Sequence, residues 1–384
     1  MNERMHDNMK QWTPVWTSAP SRCDPSDAQW GCDVTLRYGI YTAVSGDRIR
    51  LRLSNLHGKH AVTVGRVSVA RYAADGKKID TATVTPVTFD GGREAAMEPG
   101  GGIVSDPVDF AVESGKSFAL TMYLDRPTEL TTSVAAAGPL CGKQVAAGDF
   151  ETAAELPAVR SISSLWYRLT DAVEVETDAP VTVCFGDSIT AQSWPDHLAL
   201  ATKGRAVVRR AVSGTRVLRA YDCLTYQSYG DKGADRFERE VCMPGVDSVL
   251  IMHGVNDLIH PDGVNPYRPL CDLPTAEELI EGLRFYIRTA HAHGIKVYLM
   301  TILPFGGWRT FTAEKEAIRV GVNEWILHAD EPDGFVDAAG AVCDPDHPEK
   351  LAAAFDSGDH LHPSDGGARA IAAAVGEALP FLGR

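Results

Sequence analysis

The chain has 384 residues, 44% hydrophobic and 23% charged, which is ordinary globular usage with room for two domains and argues against a disordered polypeptide. A formal net charge of −14 argues against nucleic acid or an anionic membrane as a partner, since both need a basic face, and a small or neutral substrate fits better. No stretch approaches the length of a membrane-spanning helix.

Met1 to Gln11 is polar and charged with no apolar leader segment, so a cytoplasmic location is expected, and residues 1–28 read as an N-terminal extension. Eight scattered cysteines form no CxxC pair, which points to free thiols. Residues 29–178 read as an all-β domain. Segments 35–41, 48–53, 62–69 and 118–124 alternate apolar with polar residues, and turn clusters such as Ser45-Gly46-Asp47 separate them, the pattern of an antiparallel, jelly-roll-like sandwich. Pro99-Gly100-Gly101-Gly102 has no helix after it and reads as a turn rather than a phosphate cradle. Residues 135–164 read as a loop-rich connection, and 174–180 as the final boundary.

From 179 to 384 strands alternate with helices, which predicts a parallel sheet covered on both faces. The expected strands are 181–185, 206–208, 248–252, 296–301 and 335–336, and the expected helices 193–202, 276–293, 313–329 and 365–379. Thr275 and Glu278 make a capping box for the second of these helices, and Gly294 ends it.

Three stretches carry chemistry. The first, Val181 to Thr190, runs an apolar strand into Gly186-Asp187-Ser188, which puts a serine hydroxyl at a strand's carboxyl end, where open α/β sheets bind ligands. From this stretch alone Ser188 is either a nucleophile or the cap of a helix beginning near Ile189. The second, Leu250 to Asp257, places Asn256 in the same way; its amide can donate to an oxyanion, or it is an Asx-turn residue, and His253 reads as a packed strand-end residue. In the third, Ser357 to Ser364, Asp359 and His362 are spaced so that on one tight turn the carboxylate reaches Nδ1 while Nε2 points outward. Pro363 and Ser364 are also helix-start residues. A metal would have to recruit His360 or the His291 and His293 pair, but side chains two apart on a helix diverge and no further Cys/His cluster completes a site, so neither metal nor cofactor is expected.

Together these stretches resemble the SGNH, or GDSL-type, hydrolase superfamily. Its motifs match Gly186-Asp187-Ser188-Ile189-Thr190, Gly254-Val255-Asn256-Asp257 and Asp359-His360-Leu361-His362-Pro363 in order, with the second motif's glycine on Gly214. Arg209 and Ala211 depart from the Asn and Gly that many members carry just before that glycine. The resemblance covers Val181 onward and implies a three-layer α/β/α, flavodoxin-like domain. Residues around Leu36, Asn55 and Asp106 are similar to the β-sandwich of a two-domain, carbohydrate-esterase-like branch. It implies a catalytic triad of Ser188, His362 and Asp359, an oxyanion hole of Ser188, Gly214 and Asn256, and Asp187 ordering its own loop. No GxSxG elbow occurs, which disfavours the α/β-hydrolase route to the same chemistry.

The function expected is hydrolysis of short-chain acyl, in particular acetyl, esters of small molecules or oligosaccharides. A lipolytic or aryl-ester hydrolase and a catalytically dead carbohydrate-binding protein are the alternatives. Tyr221, Tyr226, Tyr229 and Trp308 lie in segments that should reach the strands' carboxyl ends, and Trp308 is the expected substrate wall, unless these rings merely pack the loops.

Overall fold

The computed structural model describes residues 11–74, 76–157 and 166–382. Its amino-terminal part is built from two five-stranded antiparallel sheets. One runs Gln11–Thr17, Thr170–Thr177, Gly46–Ser54, Val108–Val112, with Gly102–Val104 also paired to Gly46–Ser54. The other runs Lys143–Ala147, Val34–Thr42, Lys116–Leu124, Arg66–Arg71, Thr85–Val87. Alternation selects the buried face: Ile49, Leu51 and Leu53 are buried, while Arg48, Arg50 and Arg52 between them remain partly exposed. Phe110 of the first sheet and Phe118 of the second meet with ring centroids 5.4 Å apart.

Several expectations need correction here. Gln11–Thr17 is no extension but an edge strand, antiparallel to Thr170–Thr177 with its register shifting between Pro14 and Trp16. Proline lacks a ladder donor, so an edge strand with an irregular register is where a sheet tolerates one. Residues 1–10 lie outside the described residues. The run expected over 62–69 breaks at Gly65, where a Cβ would fall 2.5 Å from the Asp125 carboxylate. The loop-rich connection contains the strand Lys143–Ala147, while its residues 158–165 lie outside the described residues. The strand Thr170–Thr177 runs through the expected boundary, so only residues 178–180 link it to the next sheet.

The carboxyl-terminal sheet is parallel, in the order Ala206–Ala211, Val181–Gly186, Val246–Met252, Lys296–Met300, Gly334–Val336. This is the 2-1-3-4-5 order of flavodoxin-like sheets. Val181–Gly186 is buried along its whole length, as a strand covered on both faces must be. Trp194–Ala201 packs with Asp365–Ala378, while Gly233–Val241, Ala276–Ala292 and Ala313–His328 pack in succession, giving the helical layers of an α/β/α sandwich. The capping box at Thr275 and Glu278 is present. Helices at Gly233–Val241, Val255–Ile259 and Ala338–Val342 were not expected.

Strand order reverses between Val181–Gly186 and its neighbour Val246–Met252, so the crevice of the fold opens at their carboxyl ends. Those ends carry Ser188 and Asn256. The two domains are joined close by: Thr17 Oγ1 donates to the Arg209 carbonyl at 2.7 Å, and Arg210 Nη1 reaches Asp171 at 2.6 Å.

Candidate active site

Gly186 ends the first strand because nothing larger fits: a Cβ there would lie 2.2 Å from the Met252 carbonyl and 2.5 Å from Thr190 Oγ1. Beyond it Asp187 accepts from the Ile189 N–H at 3.0 Å and so closes the turn that presents Ser188. The helix begins only at Trp194, with Ser193 at its N-cap, and the Ser188 hydroxyl caps nothing. Instead Ser188 Oγ lies 2.8 Å from His362 Nε2, and His362 Nδ1 lies 2.6 Å from Asp359 Oδ2.

That imidazole is held by its own turn. Asp359 Oδ1 accepts from the Leu361 N–H at 2.9 Å and the His362 N–H at 2.8 Å, while Oδ2 faces the ring. Burial pushes the Asp359 carboxyl up, but the His362 and Leu361 donors and the imidazole outweigh it and hold the group at about 2. It is therefore ionised at neutral pH, and Nδ1 is the protonated nitrogen, which leaves Nε2 to accept from Ser188. Ser364 Oγ accepts from the Gly367 N–H, so one short segment ends the His362 turn and starts the last helix.

Asn256 is buried in the first turn of Val255–Ile259, and its Nδ2 donates to the Thr215 carbonyl at 3.0 Å. Gly214, the residue before, has φ +81, and a Cβ on it would strike the Tyr229 ring at 2.2 Å. Both constraints demand glycine. Among the described residues, the Ser188 and Gly214 N–H groups donate to no protein acceptor. The Asn256 amide has a second N–H beyond the one given to Thr215. Neighbouring Asp257 accepts from the Val217 and Leu218 N–H groups at 2.8 and 3.0 Å and so fixes the loop that carries Gly214.

His253 is the packed strand-end residue expected. Its Nε2 lies 3.2 Å from the Thr215 carbonyl and its Nδ1 3.0 Å from Tyr286 Oη. Burial and the Arg236 charge push it down to about 3, so it is neutral. Arg236 was not foreseen. Fully buried, it donates to the Gly186 carbonyl at 2.7 Å, pairs with Glu240 at 2.5 Å and lies 4.2 Å over the Phe185 ring, bracing the strand end that leads to Ser188. A surface-like Arg/Glu pair four apart gives no sequence signal for this.

Tyr221, Tyr226 and Tyr229 form one ring cluster, joined by His260, which stacks on Tyr229 at 5.0 Å. Trp308 is partly buried, and its loop packs close to the His362 turn: a Cβ on Gly307 would fall 3.0 Å from the His360 ring. The histidines considered for a metal each face a carboxylate, His360 with Asp356 at 2.6 Å, His291 with Asp333 at 2.8 Å and His293 with Glu238 at 2.9 Å. Among the described residues no group of three or more His, Cys, Asp or Glu side chains is placed to hold a metal ion.

Residues 184–370 match the GDSL-like lipase/acylhydrolase family. The match makes residues 184–370 a GDSL-like acylhydrolase domain, and it supports a carboxylic ester hydrolase. The acylhydrolase domain accounts for the parallel sheet and for all three chemical stretches. Among solved structures, similar ones include the acetylxylan esterase Axe2 from Geobacillus stearothermophilus, at 21% identity and TM-score 0.40, covering 53% of this chain and 96% of that one. A GDSL-like lipase from Bacteroides thetaiotaomicron is similar at 19% identity and TM-score 0.39, covering 53% and 88%. No curated protein sequence matches the chain.

Proposed function

We propose that Ser188, His362 and Asp359 are the catalytic triad of an esterase that removes short acyl groups, acetyl above all, from carbohydrates. The observation that carries this reading is the continuous chain from Ser188 Oγ through both nitrogens of His362 to Asp359, at 2.8 and 2.6 Å. Ser188 Oγ attacks the ester carbonyl while His362 Nε2 takes its proton. The tetrahedral intermediate collapses to an acyl-enzyme as the leaving alcohol takes that proton, and water, deprotonated by Nε2, then releases the acid. Asp359 keeps Nδ1 protonated and stabilises the imidazolium. The Ser188 and Gly214 N–H groups and the free N–H of Asn256 form the oxyanion hole, each donor contributing about 3 kcal/mol in the transition state.

The carbohydrate part of the reading is supported by the partly exposed aromatic cluster, since such rings stack on sugar faces while their hydroxyls pair with sugar hydroxyls. Trp308 is one wall of this substrate site. A lipolytic or aryl-ester hydrolase is the competing enzyme. Mass spectrometry of acetylated xylo- and manno-oligosaccharides after incubation with the enzyme separates them: loss of acetyl groups is expected, whereas intact acetyl groups beside rapid cleavage of medium-chain acyl esters would overturn the carbohydrate reading.

A further inference from the structure

The segment after the Lys296–Met300 strand is fixed at both ends of the site. Thr310 Oγ1 donates to the carbonyl of Ile259, at the end of the short helix that begins beside Asn256, at 2.8 Å. On the other side Gly307, at φ +102, lies against His360 of the Asp359 to His362 turn. Between these anchors Arg309 lays its guanidinium over the Trp308 ring, 4.7 Å from the centroid. Arg309 is exposed and, among the described residues, has no ion pair or hydrogen bond. The other cations around His260 each have a polar partner: Arg216 faces Asp272 at 3.4 Å, Arg268 faces Asp262 at 2.8 Å, and Lys315 Nζ donates to the Pro261 carbonyl at 2.8 Å. An unmatched guanidinium beside the site is conspicuous in a chain of net charge −14.

Two more polar groups there are unspent. The Trp308 indole N–H is buried and has no acceptor. His260 is only 6% exposed, yet neither ring nitrogen makes a hydrogen bond within the described residues, and its buried Nδ1 lacks any partner. The ring sits one helical turn beyond Asn256, whose carbonyl accepts the His260 N–H at 3.1 Å, and it stacks on the same Tyr229 that covers Gly214. Burial, then the charges of Arg268, Arg216 and Arg309, hold His260 well below the usual imidazole range, so it is neutral and can donate one N–H to a ligand. Orphaned buried polar groups cost stability, about 1–3 kcal/mol each, unless something completes them.

We infer that Arg309, the Trp308 indole N–H and His260 form an anion subsite beside the oxyanion hole, and that the preferred substrates are acyl esters of acidic sugars bearing a carboxylate. A guanidinium presents a planar fork that a carboxylate meets with two parallel bonds, and the indole beneath it holds the fork in place. The inference rests on the esterase reading above, in which the acyl group is a neutral acetyl and the charge must therefore lie on the alcohol part.

The test pairs the acetyl ester of a methyl glucuronoside with that of its carboxamide, which differ only in charge, and measures KM for each. It also titrates the two deacetylated sugars calorimetrically, so that the result does not depend on turnover. The carboxylate form should show a KM and a Kd lower by about 10-fold at low salt, an advantage that shrinks as ionic strength rises. Arg309→Gln should bring the ratio to about one, and Arg309→Lys should retain part of it. Equal affinity for the two sugars in the unmodified protein, or a ratio unchanged by Arg309→Gln, overturns the subsite. Failure to hydrolyse any acetyl ester alongside selective binding of the carboxylate would instead overturn the esterase reading and leave the subsite standing.

Discussion

The side chain of Asn256 and the main chain of Thr215 are joined by one hydrogen bond, Nδ2 to carbonyl at 3.0 Å, and this bond sets the orientation of the amide. Only the NH2 end can face a carbonyl, so the donor end of Asn256 lies beside the peptide that follows Gly214.

In the proposed oxyanion hole, Asn256→Ala removes a donor used mainly once the substrate carbonyl has become an oxyanion. It should lower kcat by roughly 10²–10³ with a small change in KM. Asn256→Asp should do worse, because a carboxylate oxygen would face the Thr215 carbonyl and repel it. Steady-state kinetics on a chromogenic acetyl ester reads both effects, and a loss confined to KM would move Asn256 from the oxyanion hole to substrate binding.

In the proposed mechanism Ser188 and His362 act as one unit, so Ser188→Ala, His362→Ala and the double variant should each lose about 10⁶ in kcat. Asp359→Ala should lose less, about 10⁴, because His362 remains in reach of Ser188. Additive losses in the double variant would show that the two residues do not share a step.

Much of this was legible in the sequence because strand ends announce themselves: a β-branched apolar run followed by Gly186-Asp187-Ser188, and another by Gly254-Val255-Asn256. The spacing of Asp359 and His362 likewise encodes a single turn. What stayed hidden depends on tertiary context. The helix Gly233–Val241 reads as a charged surface segment, yet it buries Arg236 and Glu240 against the strand that leads to Ser188. The strand Gln11–Thr17 contains a proline and owes its existence to the partner Thr170–Thr177 far along the chain. Nothing in the local sequence around His260 signals that its ring would be buried without a partner.

Two buried carboxyls should shape stability against pH. Burial, opposed by the Ile189 N–H, pushes Asp187 up to about 7, and burial, opposed by the Val217 and Leu218 N–H groups, pushes Asp257 up to about 6. In the unfolded chain such groups titrate near 3.8. Between about pH 4 and 7 the unfolded chain has therefore released protons that the native state still holds, so stability falls as pH rises through that window and levels off above it. Asp187→Asn has no proton to lose, and its stability relative to the unmodified protein should improve with pH, at most by ~1.4 kcal/mol per unit. Urea unfolding at several pH values between 4 and 8 reads this directly, and parallel profiles for the two proteins would contradict it.

The central claim is that Ser188 becomes covalently acylated. Rapid acid quenching of the enzyme during turnover of an acetyl ester, followed by intact-mass analysis and peptide mapping, tests it most directly. One acetyl group on the peptide containing Ser188, absent from the Ser188→Ala protein, is the predicted result; steady hydrolysis by Ser188→Ala, or an acetyl group carried by a different residue, would contradict it.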